Sequence, residues 1–267
     1  MPSPRIEPGI ALRRFVLGLV LLGMVSMPIL SCVEETIGNA SGVVVLLDYS
    51  KTYAPYSAED KASLDTLQLA VTELISTGGL SQPVKVIWAA FGDSGLRPMQ
   101  PCGPPRVFKQ SILGSKPIAP GSSEPTAAGS PALTMSSKSD LDAWFMACGK
   151  AIIATSKITQ EHTDVSGAFS FATNALEDVT TNRLLVMFSD LREDLAAEQH
   201  PARLSLAHGA SVVLLWRPGS DDTERPDLVK ARADEWAKRL QEAGAARVCA
   251  RQAQGITGAD IAKCVKG

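Results

Sequence analysis

The chain has 267 residues, of which 45% are apolar and 20% charged, and its formal net charge is −2. This balance is normal for a globular protein, and without a Lys/Arg cluster it argues against nucleic acid as the main partner. The length suits one substantial domain with a single hydrophobic core.

The N-terminal segment has the layout of an export signal. Residues 1–14 are polar and contain three arginines, residues 15–31 are mostly apolar and uncharged, and Cys32 follows. The apolar run is shorter than the roughly 20 residues that a spanning helix needs, so a signal peptide is favoured over a membrane span. An ordinary cleaved signal or an uncleaved anchor would account for the same pattern.

Ile29-Leu30-Ser31-Cys32 resembles the lipobox of bacterial lipoproteins, although Leu30 stands where that family usually has a small residue. The resemblance implies that residues 1–31 are removed, that Cys32 is lipidated, and that residues 32–40 tether a domain at 41–267 to the membrane. The implied location is the periplasmic side of a bacterial cell envelope. Val33 favours the outer membrane, because an Asp at that position favours inner-membrane retention in enteric bacteria.

Strand and helix patterns alternate after residue 40. The continuous apolar run at 43–47 is typical of a buried parallel strand, and Ser57 with Asp60 forms a capping-box pattern before a helix that Gly78-Gly79 ends. Further strands are predicted at 84–91, 106–110, 184–188, 212–216 and 246–250, and further helices at 139–153, 164–177, 191–208, 227–243 and 259–265. This alternation predicts an α/β fold with a doubly wound, mostly parallel sheet flanked by helices.

Residues 111–137 interrupt this alternation with a stretch rich in Pro, Gly and Ser. A structureless loop of this length is uncommon within a domain unless it is functional or disordered. We therefore expect an insertion in the domain at about 111–137.

Four cysteines follow Cys32, and an even number suggests disulfides in an oxidising compartment. Three pairings are possible, and the sequence does not choose between them. The short separation of Cys249 and Cys264 favours a local bridge, which would leave Cys102 and Cys148 to tie a long loop to a helix. A zinc site is a weak rival, because the chain has no C-x-x-C pair and its histidines lie far away.

Five oxygen-bearing side chains fall at the ends of predicted strands or at the start of a predicted helix: Asp48, Ser50, Thr52, Thr163 and Asp190. Ligands of an open α/β sheet bind outside the carboxyl ends of its strands, so these side chains are expected to converge there. Two carboxylates and three hydroxyls suit a hard divalent cation, Mg²⁺ or alternatively Mn²⁺ or Ca²⁺. Asp48 and Ser50 could instead do no more than shape a turn.

The turn at 48–52, the segment at 163–168 and Asp190 resemble, in this order, the metal-ion-dependent adhesion site of von Willebrand factor A (vWA) domains. That family carries Asp-x-Ser-x-Ser, a later Thr, and a later Asp that usually precedes Gly. Here Thr52 keeps a hydroxyl at the third position, whereas Leu191 replaces the Gly. The resemblance implies that all five side chains hold a cation, and that this cation captures an Asp or Glu carboxylate of a protein partner.

The resemblance covers roughly residues 41–250 and predicts an envelope-anchored, metal-dependent protein-binding module rather than an enzyme. One alternative is a structural interaction module with a vestigial metal site, which Leu191 and the acidic pair Glu193-Asp194 leave open. We interpret that pair as favourable charge in the first turn of the helix predicted at 191–208.

A metal-dependent phosphohydrolase is the other alternative. The turn at 48–52 also faintly resembles the Asp-x-Asp-x-Thr turn of haloacid-dehalogenase-like phosphotransferases, in which the second Asp is the general acid. Ser50 stands at that position and cannot protonate a leaving group. The sequence also contains no P-loop and no Gly-x-Ser-x-Gly motif.

Overall fold

The computed structural model describes residues 41–109, 133–135, 137–204, 206 and 209–266, all within one compact unit. The predicted signal peptide, the tether with Cys32, and most of the insertion at 111–137 lie outside the described residues. Within the described ranges, no helix combines the length and the apolar character that crossing a membrane requires.

The described chain forms seven strands and five α-helices. The strands are β1 (Ser41–Asp48), β2 (Val84–Phe91), β3 (Arg106–Phe108), β4 (Leu133–Met135), β5 (Arg183–Ser189), β6 (Ala210–Trp216) and β7 (Arg247–Gln252). The helices are α1 (Ala58–Ser76), α2 (Lys138–Thr155), α3 (Val165–Ala175), α4 (Pro226–Glu242) and α5 (Gly258–Lys266).

The strands form one sheet in the order β4-β3-β2-β1-β5-β6-β7. The five strands from β2 to β7 in this order run parallel, whereas β3 pairs antiparallel with β2. The central strand β1 lies between β2 and β5, with Asp48 opposite Phe91 and Leu47 opposite Phe188. This topology confirms the predicted doubly wound, mostly parallel sheet.

Each face of the sheet carries its own hydrophobic core. Val43, Val45 and Leu47 of β1 pack into the core shared with α1, α2 and α5. Val44 and Leu46 pack into the core shared with α3 and α4. Because successive side chains of a strand point to opposite faces, a strand covered on both sides reads as a continuous apolar run.

Local capping sets the start of the helices that frame the carboxyl edge of the sheet. Ser57 and Asp60 form the predicted capping box of α1. Asp164 caps α3 by accepting the N–H of Gly167 at 2.7 Å. Because Asp164 ends the preceding loop, its neighbour Thr163 is held at the mouth of that helix.

The helix predicted at 191–208 is wrong, since the described residues of this segment form a loop. Asp194 instead exchanges two backbone hydrogen bonds with Thr163, at 2.8 and 2.9 Å. Glu193 accepts the N–H of Ser166, in the first turn of α3, at 2.9 Å. Both acidic residues therefore support the start of α3 rather than a helix of their own. A second difference is β4, which forms at Leu133–Met135 inside the expected insertion.

Cys102 and Cys148 form a disulfide across 46 residues, which ties the segment after β2 to α2. Cys249 and Cys264 are free thiols, so the local bridge favoured by their spacing is wrong. Burial, together with a hydrogen bond to Cys249, raises the pKa of Cys264 to about 12. A raised pKa lowers the fraction of Cys264 that is present as thiolate, the species that attacks in disulfide formation.

Candidate metal site

The five predicted ligands all lie at the carboxyl edge of the sheet. Asp48 ends β1, Asp190 directly follows the neighbouring strand β5, and Thr163 directly precedes the residue that caps α3. Ser50 and Thr52 occupy the turn after β1. Asp48, Ser50, Thr163 and Asp190 are at most 3% exposed, so the structure encloses most of the set.

Asp48 is held at both carboxylate oxygens. The Ser50 N–H donates to Oδ1 at 2.9 Å, and the Ser189 hydroxyl donates to Oδ2 at 2.5 Å. In the same turn, Ser50 Oγ and Thr52 Oγ1 lie 3.2 Å apart. The two hydroxyls of the turn are thus brought together beside a carboxylate of fixed orientation.

Asp190 has one satisfied and one unsatisfied oxygen. Oδ1 accepts the Arg192 N–H at 2.9 Å. Oδ2 is buried and finds no hydrogen-bond partner among the described residues. A Cβ placed on Gly219 would lie 2.5 Å from this oxygen, so glycine leaves space there. A buried oxygen without a partner is costly, and a cation or a water would satisfy it.

Burial dominates the electrostatics of the two carboxylates. Burial, and then the charge of Asp190, raise the pKa of Asp48 from 3.8 to about 7. Burial also raises the pKa of Asp190, although the charges of Arg232 and Arg192 oppose this effect. Each arginine has an ion pair of its own, Arg192 with Asp221 at 2.9 Å and Arg232 with Asp222, while Nη1 of Arg232 is buried without a hydrogen-bond partner among the described residues.

Neither Asp48 nor Asp190 takes part in an ion pair with any described residue. Two adjacent buried carboxylates therefore share one region without a direct ion pair, although the charges of Arg232 and Arg192 act on Asp190. Such an arrangement is typical of a functional site rather than of a structural ion pair.

Thr163 reaches this edge through its backbone. Its pairing with Asp194 holds it beside the loop that follows Asp190. The next residue, Asp164, accepts the Gly95 N–H at 2.9 Å and so ties the loop after β2 to the same region. Among the described residues, no hydrogen bond joins the Thr163 side chain to the other four predicted ligands.

Leu191 occupies a backbone conformation that favours glycine, with φ of 59°. The Leu191 side chain is 1% exposed and packs in the core beside α4. Its N–H donates to Ser189 Oγ at 2.8 Å and its carbonyl accepts from Trp236 Nε1 at 3.0 Å. Burial and these two hydrogen bonds offset the backbone strain at Leu191 and so hold the turn.

The donor set fits a hard cation with incomplete protein coordination. Among the described residues, no group of three or more His, Cys, Asp or Glu side chains could hold a metal. A cation here would depend on two carboxylates, hydroxyls and water, which are the ligands that Mg²⁺ prefers. The unsatisfied Asp190 Oδ2 and the space at Gly219 agree with such an occupant.

Sequence reasoning missed Ser189 and Gly219 as parts of the site. Ser189 stands beside Asp190 at the end of an apolar run, and this polar residue was the available signal. Gly219 follows β6, and only the fold places it against Asp190.

A groove of about 450 Å³ borders the site on the β6 side. Thr52, Gly219 and Ser220 line its end next to the candidate ligands, and Arg217 and Asp60 line it farther away. A groove of similar volume between α1 and α2 contains none of the five predicted ligands.

No protein-family model matches the sequence, and no curated protein is significantly similar to it. Among solved structures, the chain is similar to an aerotolerance-related membrane protein from Bacteroides fragilis NCTC 9343 carrying multiple mutations to serines. The two share 14% identity over 84% of this chain and 96% of that one, with a TM-score of 0.39.

A likeness with this identity and this TM-score carries no functional information. The fold class follows from the topology itself, a mostly parallel sheet with helices on both faces, as in vWA-like and Rossmann-like proteins.

Proposed function

We propose that the protein is a metal-dependent protein-binding module of the bacterial cell envelope. The cation, Mg²⁺ or alternatively Mn²⁺ or Ca²⁺, would be held by Asp48, Ser50, Thr52, Thr163 and Asp190. A carboxylate from an Asp or Glu of a protein partner would complete its coordination. The observation that supports this most directly is the pair of adjacent buried carboxylates, Asp48 and Asp190, without a direct ion pair among the described residues.

The donors of the site are too weakly charged to saturate a divalent cation. Hydroxyls of Ser50 and Thr52 are neutral, and both oxygens of Asp48 already accept hydrogen bonds. When bound, the cation would supply a positive centre that attracts an anionic ligand. The side chains of this protein would orient that centre toward the groove beside Gly219.

The predicted lipid anchor suits this role. Residues 32–40 would connect Cys32 to Ser41, the first residue of β1. Asp48 ends the same strand, about 25 Å farther along at the usual rise per residue. The candidate site thus lies at the opposite end of the strand from the attachment point of the tether, which would leave it open to a partner.

Catalysis is not part of the proposal, because Ser50 occupies the place that a general acid would need. A screen of phosphatase substrates with and without Mg²⁺ tests this choice. Metal-dependent turnover that is lost in Asp48→Ala would replace the binding proposal by a hydrolytic one.

Calorimetric titration of the purified protein with Mg²⁺ and Mn²⁺ tests the metal site. We expect submillimolar affinity for the wild type, since few charged ligands give weak oxygen-donor sites. Asp48→Ala should weaken binding at least about 100-fold, because one of only two carboxylates is lost. Asp65→Ala is the matched control, since it removes a half-exposed carboxylate on α1 away from the site.

Equal metal binding by wild type and Asp48→Ala would show that the site assignment is wrong. Capture of envelope proteins before and after chelation then tests the mechanism. If metal binds but chelation leaves capture unchanged, the metal site stands and carboxylate capture is rejected.

The anchor has its own test. Cys32→Ser should leave unprocessed precursor or released protein, because the acceptor of the lipid is lost. An intact mass of the wild-type protein that still includes residues 1–31 would contradict the lipoprotein assignment.

A further inference from the structure

Two buried side-chain atoms of opposite charge lack a hydrogen-bond partner among the described residues, Oδ2 of Asp190 and Nη1 of Arg232. Arg232 belongs to α4, and its other terminal nitrogen, Nη2, forms an ion pair with Asp222. Asp190 likewise uses only Oδ1, which accepts the Arg192 N–H. Each charged group is thus half satisfied, and such a buried atom is costly unless an opposite charge lies near it.

The turn after β6 brings Arg232 to Asp190. A Cβ placed on Gly219 would lie 2.5 Å from Asp190 Oδ2, so this turn packs directly against the unsatisfied oxygen. The Asp222 N–H donates to the Gly219 carbonyl at 3.1 Å, and the Thr223 hydroxyl donates to the same carbonyl at 3.2 Å. Asp222 is therefore fixed in the turn that touches Asp190, and its ion pair holds the Arg232 guanidinium there.

The charge of Arg232 acts on Asp190 through the protein more than through solvent. Burial raises the pKa of Asp190, and the Arg232 charge opposes this rise more strongly than the Arg192 charge does. The Arg192 side chain is 46% exposed, whereas the Arg232 side chain is 22% exposed. Solvent screens an exposed charge more than a buried one. Arg232 is therefore the main positive charge acting on Asp190 among the described side chains.

We propose that Arg232 competes with the divalent cation for Asp190, and that Asp222 sets the strength of this competition by holding the guanidinium. Without metal, Arg232 offsets part of the Asp190 charge. A cation at Asp190 must bind against the same positive charge, because like charges repel. This inference rests on the proposed function for its cation, and it assigns the control of metal affinity to Arg232 and Asp222.

Calorimetric titration of the purified protein with Mn²⁺ tests the competition. Arg232→Met should bind Mn²⁺ about 10-fold more tightly, because the opposing charge is lost while its apolar stem is kept. A purely structural role of Arg232 predicts weaker binding or no change. Arg192→Met is the matched control, since it removes an equal but more exposed charge near Asp190 and should change the affinity less than about 2-fold.

Asp222→Asn tests the second half of the proposal. Arg232 would then have only Asp190 to offset, so Mn²⁺ should bind about 3-fold or more weakly. In an Arg232→Met background the same substitution should change the affinity less than about 2-fold, because no guanidinium remains to be released. If Arg232→Met alone does not fold, Asp222→Asn is compared with the double variant, which removes both members of the ion pair and should bind Mn²⁺ more tightly.

Urea denaturation in the presence of chelator tests the contact between Arg232 and Asp190 without any metal. Arg232→Met should lower the urea midpoint of the wild type more than that of Asp190→Asn, because only the wild type has a carboxylate for Arg232 to offset. Such a difference between the two backgrounds is the mark of an interaction between the two residues.

Tighter Mn²⁺ binding by Arg232→Met, together with unequal midpoint shifts in the two backgrounds, supports the inference. Weaker or unchanged Mn²⁺ binding by Arg232→Met, equal effects of Arg192→Met and Arg232→Met, or equal midpoint shifts overturn it, and wild-type Mn²⁺ binding then still supports the proposed function. A protein that binds no Mn²⁺ in any variant overturns the inference and the proposed function together.

Discussion

Two regions at the carboxyl edge of the sheet contain buried carboxylates, and the protein stabilises them differently. Asp60, 2% exposed, accepts from Arg217 Nε at 2.5 Å and also caps α1. Asp48 and Asp190, 0% and 1% exposed, receive hydrogen bonds from N–H and hydroxyl groups only. The chain thus gives the first region a direct ion pair, whereas no described residue forms one with Asp48 or Asp190.

This difference separates a structural ion pair from a candidate binding site. Arg217 is satisfied on all sides, since it also donates to the Tyr53 and Pro218 carbonyls and stacks 3.9 Å from the Tyr53 ring centroid. Removing one member of such a pair leaves the other as a buried charge without a partner, which destabilises the protein. The second region has two buried carboxylates without a direct ion pair, and the stability of the protein should therefore respond to an external cation and to pH.

Neutralising the two regions should have opposite effects on the free energy of unfolding, measured by urea denaturation at pH 8 with chelator. Arg217→Met should destabilise the protein by about 3 kcal/mol, because Asp60 remains charged and buried. Asp48→Asn should leave the free energy of unfolding unchanged or raise it. Asparagine has nearly the shape of aspartate but carries no charge, so the substitution removes an unpaired buried charge. Equal losses in the two variants would show that the regions do not differ in this way.

Added metal should stabilise the protein by binding at the second region only. At a free Mg²⁺ concentration 100-fold above the dissociation constant, the free energy of unfolding should rise by about 2.7 kcal/mol. Asp48→Asn should lose this gain. Arg217→Met should show the same Mg²⁺-dependent gain, although its free energy of unfolding without metal is lower. A gain of equal size in Asp48→Asn would place the bound metal elsewhere.

The metal-free protein should become more stable as the pH falls from 8 toward 5. The pKa of Asp48 is raised to about 7 from 3.8, so the folded state binds the proton more tightly than the unfolded state. That stabilisation is fully present below pH 3.8 and is lost as the pH rises through about 7. We expect a gain of about 2 kcal/mol over the measured range.

Asp48→Asn provides the control for this titration, because it removes the carboxyl and should flatten the rise. Saturating Mg²⁺ in the wild type should oppose it, since the cation binds the deprotonated form. A rise of unchanged size in the variant would assign the titration to other groups.

The smallest expected effect concerns the turn beside Asp190. Leu191→Gly and Leu191→Ala both remove a buried side chain and should destabilise the protein. With φ of 59°, Gly should be about 1 kcal/mol more stable than Ala, the reverse of the usual order within regular structure. Urea denaturation of the two variants measures the difference, and a more stable Ala variant would rule out strain at this residue.

Several features of the fold were predictable because they arise from local physics. The run at 43–47 reads as a strand buried on both faces, and Ser57 with Asp60 marks the start of α1. The segment after β5 was not predictable in this way. Its composition favours a helix, but Asp194 pairs with Thr163 and Glu193 with Ser166. Such contacts override propensities of a few tenths of a kcal/mol per residue.

The sequence by itself determined the parallel part of the sheet, the starts of the five helices that form, and the placement of oxygen-bearing residues at strand ends. Periodicity and capping depend on neighbours a few residues away, so a single sequence displays them. Only the tertiary structure decided which atoms are satisfied. Ser189 reaches Asp48 across 141 residues, and Arg217 reaches Asp60 across 157. Desolvation and pairing depend on such distant neighbours, which is why one buried carboxylate has a direct ion pair and two others do not.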